Sequence, residues 1–217
     1  MRRRDAAPLP VVRRPLELAL RDRLRGLRQR ASGGAAVRRA DPKGGPVEAP
    51  LALETERLRL VACTAELAEA LTYDRGEAED LLGAEIPAGW PTEELAAFLP
   101  VYARELASDP ALLGYGIWLV LDPLEGTLVG DSGFKGKPAD GVVELGYSTA
   151  GPYRGRGFAF EAAQALVGWA FSQPGIEKVV AETEPDNAHS IRVLEKLGMR
   201  QVAERDGMLR WELRAGS

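Results

Sequence analysis

Cysteine and histidine are almost absent from this chain of 217 residues, which holds one of each, Cys63 and His189. A single cysteine cannot form a disulfide within the chain, and the usual Cys/His zinc cluster is excluded, so we expect no metal site. Cys63 has no histidine or lysine near it in the sequence, which favours a buried structural thiol over a nucleophile. We expect His189 to be an exposed side chain.

Long hydrophobic runs are also missing. No stretch approaches the roughly 18 uncharged apolar residues of a membrane span, and the first residues lack the short apolar block of a secretory signal. The composition, with 45% apolar and 28% charged residues, is that of a protein that can bury a core without a metal or disulfide. These patterns predict a cytoplasmic protein of one or two domains.

Aromatic residues are absent from residues 1–50, where 13 Lys/Arg and 5 Asp/Glu give a net charge of +8. Residues 51–217 carry a net charge of −12. We interpret this asymmetry as a basic tail followed by an acidic globular domain. Leucines at helical spacing between Leu16 and Leu27, with arginines among them, predict a short basic amphipathic helix. That helix would either contact RNA, a ribosome or another anionic surface, or simply pack on its own domain.

From residue 51 onward, hydrophobic segments alternate between the two-residue period of strands and the 3.6-residue period of helices. Three strands in succession followed by interleaved helices predict a single α+β domain. The predicted order is a strand at 58–62, a helix capped by Thr64, an irregular segment at 75–90, a helix opened by Pro91 and Thr92 that ends before Asp109, strands at 115–121, 127–133 and 142–147, a helix at 158–171, a strand at 178–183, a helix at 187–197, and strands at 201–204 and 209–213.

The segment 153–159, of sequence YRGRGFA, carries the sharpest local signal, because it lies between a predicted strand and a predicted helix. Two glycines allow a close approach of the backbone to a ligand, and the first amides of a helix have no internal acceptor. Together with two arginines they predict an anion site for a diphosphate. A third glycine at position 160 would be needed for a dinucleotide fingerprint, and no Gly-Lys-Ser/Thr is present. A tight turn with solvated arginines is the alternative.

Arg154, Gly157 and Ala159 match the R/Q-x-x-G-x-G/A acetyl-CoA signature of the GNAT N-acetyltransferases. With the segments 143–147 (VELGY) and 187–199 (NAHSIRVLEKLGM), the chain resembles the RimJ/RimL-type branch of that family from about residue 53 to its end. The resemblance implies a GNAT-type fold, with a central, mostly antiparallel mixed sheet and helices on both faces. It also implies acetyl-CoA as co-substrate and an amine as acceptor.

The resemblance further implies which residues hold the cofactor. The pantetheine arm would pair with the backbone of the strand around Gly146, main-chain amides of the glycine loop would hold the pyrophosphate, and two polar side chains would line the far side. These residues are Leu145, Gly146, Tyr147, Arg154, Gly155, Arg156, Gly157, Phe158, Ala159, Asn187 and Ser190. Asn187 would also serve as a helix N-cap after Pro185-Asp186.

Catalysis in this family is direct attack of an amine on the thioester. Neutralising an α-amino group at pH 7 costs only about 1 kcal/mol, against about 4 to 5 kcal/mol for a lysine, so a modest base suffices for a protein N-terminus. Glu144, a lone carboxylate among apolar neighbours, is the candidate base, unless its strand points it to solvent. Leu194 replaces the tyrosine that many relatives use to protonate the thiolate, which leaves Ser190, with Tyr147 as a less favoured substitute.

Other roles remain open at this point. Trp90 either provides an aromatic wall beside the acceptor amine or packs at the start of the following helix. The acceptor is either a protein N-terminus or a small-molecule amine. A CoA-binding regulatory module without turnover and an RNA or ribosome adaptor acting through the tail are the alternatives from other classes. A monomer and a homodimer are both compatible with the sequence.

Overall fold

The computed structural model describes residues 50–216, so the predicted basic helix and most of the predicted tail lie outside the described residues. The described residues form eight strands and five α-helices. The strands are β1 (Ala52–Glu54), β2 (Arg59–Ala62), β3 (Ile117–Asp122), β4 (Thr127–Phe134), β5 (Val142–Thr149), β6 (Lys178–Thr183), β7 (Arg200–Arg205) and β8 (Met208–Arg214). The helices are α1 (Ala65–Tyr73), α2 (Arg75–Leu82), α3 (Glu93–Ser108), α4 (Phe158–Ser172) and α5 (Ala188–Lys196).

The eight strands form one sheet in the order β1-β2-β3-β4-β5-β6-β8-β7. Every neighbouring pair is antiparallel except β5 and β6, which run parallel because α4 crosses over between them. The prediction of a single α+β domain with a mostly antiparallel mixed sheet is therefore confirmed. Among the described helices, none is both long and apolar enough to cross a membrane.

Two hydrophobic cores cover the two faces of the sheet, which confirms the prediction of helices on both faces. On one face, α4 and α5 pack on side chains of β2 to β6 and β8, and Leu166, Val179 and Leu194 are fully buried there. On the other face, α1 to α3 cover the first half of the sheet around Leu119 and Leu128. The second half of that face, from β5 onward, contributes no residue to either core except near Ala150. This leaves an accessible surface beside β5.

The helix caps follow from local chemistry. The Thr64 side chain accepts a hydrogen bond from the amide of Leu67 at 3.1 Å, and Thr92 does the same for Leu95 at 3.3 Å. Both residues therefore satisfy amides that a helix start leaves without a partner, as the sequence predicts.

The interpretation of residues 75–90 as irregular is wrong over its first half, which is the helix α2. Asp74 caps this helix through the amide of Glu77 at 3.1 Å, and Gly83 ends it at φ +63°. The segment has few apolar residues, a glycine in its first turn and only Ala78 buried, so its hydrophobic period is too weak to see. The capping residues at its two ends, Asp74 and Gly83, were the sequence signal for this helix.

Candidate functional site

A cleft opens where β5 and β6 separate. The parallel pairing includes only Val142 to Glu144 of β5, although β5 continues to Thr149 and β6 to Thr183. The β6-facing edge of β5 beyond Glu144 therefore lacks a strand partner in the described chain, and its peptide groups are available to a ligand. The cleft has a volume of about 260 Å³. Its lining residues are Lys135, Leu145, Gly146, Tyr147, Ala181, Glu182, Thr183, Glu184, Asn187, Ser190 and Met208.

The glycine loop lies at the carboxyl end of β5 and leads into α4. Gly155 and Gly157 have φ values of +77° and +83°, a conformation that residues with a Cβ rarely adopt. Within the described residues, the main-chain N–H groups of 155–159 donate to no acceptor, and the first helical bond to the loop comes from Glu161 to the Gly157 carbonyl. These free donors lie at the positive end of the α4 dipole, an arrangement that favours an anion, so the loop is a candidate anion site.

The two loop arginines, which the sequence analysis predicts to bind a phosphate group, have different contacts. Arg156 is engaged by acidic side chains, with Nη2 lying 2.6 Å from Glu125 Oε1 and 3.7 Å from Asp122 Oδ2. Its guanidinium also lies over the Phe158 ring, 4.7 Å from the centroid. Arg154 donates through Nε to the Thr149 carbonyl at 3.1 Å and is exposed. The structure therefore assigns Arg156 to holding the loop in place, while Arg154 lies nearer to solvent.

Arg57, which the sequence reasoning did not single out, contacts this loop from the turn between β1 and β2, 99 residues earlier in the chain. It donates through Nη1 to the Arg156 carbonyl at 3.0 Å and forms an ion pair with Glu161 at 2.7 Å. Thr55 also donates to Glu161, at 2.6 Å. Burial alone would raise the pKa of the Glu161 carboxyl, but these hydrogen bonds from Thr55 and Arg57 lower it. The negative charge in the first turn of α4 is thereby compensated beside the anion site.

Tyr147 and Ser190 meet inside the cleft. The Tyr147 hydroxyl lies 2.9 Å from Ser190 Oγ, although the residues come from β5 and α5. Asn187 caps α5 by accepting a hydrogen bond from the Ser190 amide at 3.1 Å, so the N-cap role considered for it is present. Burial raises the pKa of the Tyr147 hydroxyl, and the hydrogen bond to Ser190 only partly opposes this. The phenol therefore keeps its proton at neutral pH and can donate it.

Glu144 points to the other face of the sheet, because it alternates with the core residues Val143 and Leu145. Its carboxylate forms an ion pair with Lys135, with Oε1 2.5 Å from Nζ, and the side chain is 27% exposed. Glu144 is therefore neither isolated nor fully solvated. Its side chain lies on the face opposite the α4 core, whereas the Tyr147 and Ser190 hydroxyls line the cleft.

The same face holds a second carboxylate that the sequence reasoning missed. Asp131 on β4 lies opposite Ser148 on β5 and accepts hydrogen bonds from Ser148 Oγ at 2.6 Å and from Trp90 Nε1 at 2.9 Å. Trp90 is only 3% exposed, so its ring packs in the core and it reaches this surface through its N–H. Burial raises the pKa of Asp131, and the two hydrogen bonds lower it by less.

Cys63 and His189 lie away from these groups. His189 is exposed on α5, as expected, and Cys63 is fully buried at the end of β2. Burial raises the pKa of the Cys63 thiol to about 12, so almost no thiolate exists at neutral pH. No group of three His, Cys, Asp or Glu side chains within residues 50–216 is arranged to hold a metal ion.

Cys63 offers a direct test of this placement because it is the sole cysteine of the chain. We expect the native protein to react with a thiol-selective disulfide reagent much more slowly, by at least about a hundredfold, than the protein in denaturant. The absorbance of the released thiol measures both rates. Rapid labelling of the native protein would contradict the burial of Cys63 and reopen an acyl-enzyme route.

Comparisons with known proteins identify the family to which this fold belongs. The family described as "Acetyltransferase (GNAT) domain" matches residues 57–200. A relative from Bacillus subtilis (strain 168), described as the uncharacterized N-acetyltransferase YjdG, is 33% identical over 147 residues, or 67% of this chain and 88% of the relative. Six curated relatives match in all, and further Bacillus proteins are among them.

Two solved structures share the fold. The ribosomal-protein-S5-alanine acetyltransferase from Vibrio fischeri is 18% identical, with a TM-score of 0.54 over 76% of this chain and 96% of its own. The RimJ protein of Mycobacterium smegmatis, solved in complex with CoA-disulfide, is 21% identical, with a TM-score of 0.51 over 73% of this chain and 82% of its own. With the family match covering most of the described domain, the chain belongs to the GNAT family of acyl-CoA-dependent N-acetyltransferases.

Proposed function

We propose that this GNAT acetyltransferase transfers the acetyl group of acetyl-CoA to the α-amino group of a protein N-terminus, by direct attack in a ternary complex. The observation that supports this proposal most strongly is the cleft between β5 and β6, which is lined by the unpaired edge of β5 and by Tyr147 and Ser190. The carboxyl end of β5 leads from it to the loop whose main-chain donors are free. GNAT enzymes use acetyl-CoA, whose thioester supplies the activated acetyl group.

The residues of the cleft fit such a ligand. Thr183 Oγ1 is buried in the cleft and has no hydrogen-bond partner among the described residues, which is costly unless a ligand supplies one. The backbone edge of β5 around Gly146 would pair with the amide groups of pantetheine. The amides from Arg154 to Ala159 would hold the pyrophosphate, and Asn187 and Ser190 would line the opposite wall.

Within this arrangement, Glu144 accepts the proton of the attacking amine and Ser190, hydrogen-bonded to Tyr147, protonates the leaving thiolate. The two groups lie on opposite faces of the sheet, so the amine can approach from one side while the thiol is protonated on the other. An α-amine requires only about 1 kcal/mol for neutralisation at pH 7, which a carboxylate can assist.

The acceptor is tested by measuring CoA release with alaninamide, short peptides bearing free N-termini, the same peptides with blocked N-termini and a lysine side chain, and a set of small amines. We expect turnover with free N-termini and little with the blocked peptides. The Vibrio fischeri neighbour, named for a ribosomal-protein alanine, is a further reason to include peptides that begin with alanine. Turnover only with small amines would overturn the acceptor, and CoA binding without any turnover would favour a regulatory module.

Glu144→Gln tests the proposed base. We expect kcat to fall by about a hundredfold, because general-base assistance is removed, while the KM for acetyl-CoA stays near that of the wild type. Glu182→Gln is the matched control, since Glu182 is a carboxylate that lines the cleft and is paired with Arg210 at 2.9 Å. An equal fall in both variants would argue for a general charge effect in place of base catalysis.

A further inference from the structure

We propose that Asp131 binds the ammonium form of the acceptor amine, through its Oδ2 atom, in the hollow over Gly146. This inference rests on the proposed function and deepens it, because it assigns the residue that selects the acceptor. It also defines the acceptor by chemistry, as a primary amine that arrives with its positive charge.

The hollow over Gly146 results from the way in which the residues of β4 and β5 are paired. Glu144, Gly146 and Ser148 alternate onto the face opposite the α4 core, and Asp131 lies directly across from Ser148. A Cβ placed on Gly146 would meet no atom within 4 Å, so this position is open. Glu144 and Ser148 are four positions apart along the strand, a distance of about 13 Å. An acceptor placed over Gly146 therefore lies between two carboxylates and beside the separated strands.

The two carboxylates differ in their charge compensation. Glu144 is paired with Lys135 at 2.5 Å, whereas Asp131 has no ion pair with any described cationic side chain. On β3, Asp131 lies opposite the apolar residue Leu119. The two polar side chains that contact Asp131, Trp90 and Ser148, are uncharged. A cation entering this hollow would therefore find its uncompensated negative charge at Asp131.

The orientation of Asp131 is fixed. Trp90 Nε1 and Ser148 Oγ both donate to Oδ1, and within residues 50–216 no donor contacts Oδ2. The nearly buried indole and the short hydrogen bond from Ser148 hold the carboxylate plane, leaving one oxygen for a ligand. Burial also raises the pKa of Asp131, and an ammonium partner would offset this cost of holding a buried charge.

Asp131 and Glu144 therefore have different roles. Asp131 binds the incoming ammonium, and Glu144, on the same face, takes one of its protons, so that the neutral amine attacks the thioester carbon. A second proton leaves the nitrogen to solvent as the C–S bond breaks, and the departing thiolate takes its proton from Ser190. Loss of Asp131 should then weaken acceptor binding, whereas loss of Glu144 should slow turnover. Neutral or anionic acceptors would gain no binding affinity from Asp131.

The binding test does not require turnover. Protein labelled with ¹⁵N at tryptophan has four indole N–H signals, and the Trp90 signal is assigned by its loss in Trp90→Phe. With CoA present, we expect alaninamide to shift the Trp90 signal and lactamide, its uncharged hydroxyl analogue, to leave it unchanged. In Asp131→Asn, which keeps an oxygen for Trp90 and Ser148, the shift should disappear. Equal shifts with both compounds, or a wild-type response in Asp131→Asn, would overturn the inference.

Kinetics provide the second readout. We expect Asp131→Asn to raise the KM for alaninamide by at least about tenfold, with kcat within about threefold of wild type and CoA affinity unchanged. Thermal unfolding confirms that the variant is folded, and Asp109→Asn, a surface carboxylate at the end of α3, is the control. An unchanged KM would refute the role of Asp131 while leaving acetyl transfer intact. Absence of wild-type turnover with every amine would instead refute the proposed function, and the indole shift would then decide on Asp131 alone.

Discussion

Replacing Gly157 by valine is expected to lower the affinity for CoA by about a hundredfold. Gly157 has φ +83° and leads directly into the first turn of α4, where the main-chain donors of the anion site are free. A β-branched residue does not tolerate this conformation, so the loop must move and the donors lose their common direction. Losing two hydrogen bonds to a charged group costs about 3 kcal/mol, which corresponds to the stated factor. Isothermal titration calorimetry with CoA measures it.

The control for this variant is Gly175→Val. Gly175 has φ +81°, is open to solvent and lies between α4 and β6, so its replacement imposes the same backbone strain away from the cleft. Both variants should lose similar stability in thermal unfolding, and only Gly157→Val should lose CoA affinity. If the two variants bind CoA equally well, the glycine loop does not hold the ligand.

Removing the hydroxyls of Tyr147 and Ser190 is expected to lower kcat by about ten- to a hundredfold, because the thiolate would leave without a positioned proton donor. The two hydroxyls lie 2.9 Å apart and act as one unit. Tyr147→Phe, Ser190→Ala and the double variant should therefore have similar kcat values, with a double-variant loss well below the product of the single losses. Steady-state kinetics with a saturating acceptor measures this cycle.

Tyr102→Phe serves as the control for that cycle. Its hydroxyl is buried and donates to the Cys63 carbonyl at 3.0 Å, far along the chain from the cleft residues. We expect a loss of stability of about 1 kcal/mol without a change in kcat. Fully multiplicative losses in the Tyr147 and Ser190 variants would show that the hydroxyls act independently and contradict the shared donor.

Most of the fold could be predicted from the sequence because its elements have strong periodic patterns. Strand β6 has the predicted bounds, and α4 and α5 begin where Gly157 and Asn187 indicate. Helix α2 was missed since a helix that buries one alanine leaves hardly any pattern. Strand β1, with three residues, is too short for an alternation to be recognised.

The candidate site was predictable only where the backbone carries the chemistry. Glycines and a helix start are visible in a sequence, and the free main-chain donors of residues 155–159 lie where they indicate. Side-chain partners depend on contacts between distant segments and were not visible. Glu144 meets Lys135 across a hairpin, and Arg156 turns to Glu125, 31 residues earlier in the chain.

Asp131 shows the same limit most clearly. In the sequence it is one aspartate between Gly130 and Ser132, with no motif to mark it. Its environment comes from Trp90, 41 residues away, and from Ser148, 17 residues away. Only the folded sheet brings a buried indole, a hydroxyl and a carboxylate to one face beside an open glycine.

Whether the glycine loop holds CoA is tested most directly by a titration of ¹⁵N-labelled protein with CoA, followed by the backbone amide signals. We expect the amides of 155–159 to shift strongly, together with those of 145–147, while the signals of amides on α1 to α3 do not move. Amides of the glycine loop that do not respond to saturating CoA would contradict its assignment as the pyrophosphate site.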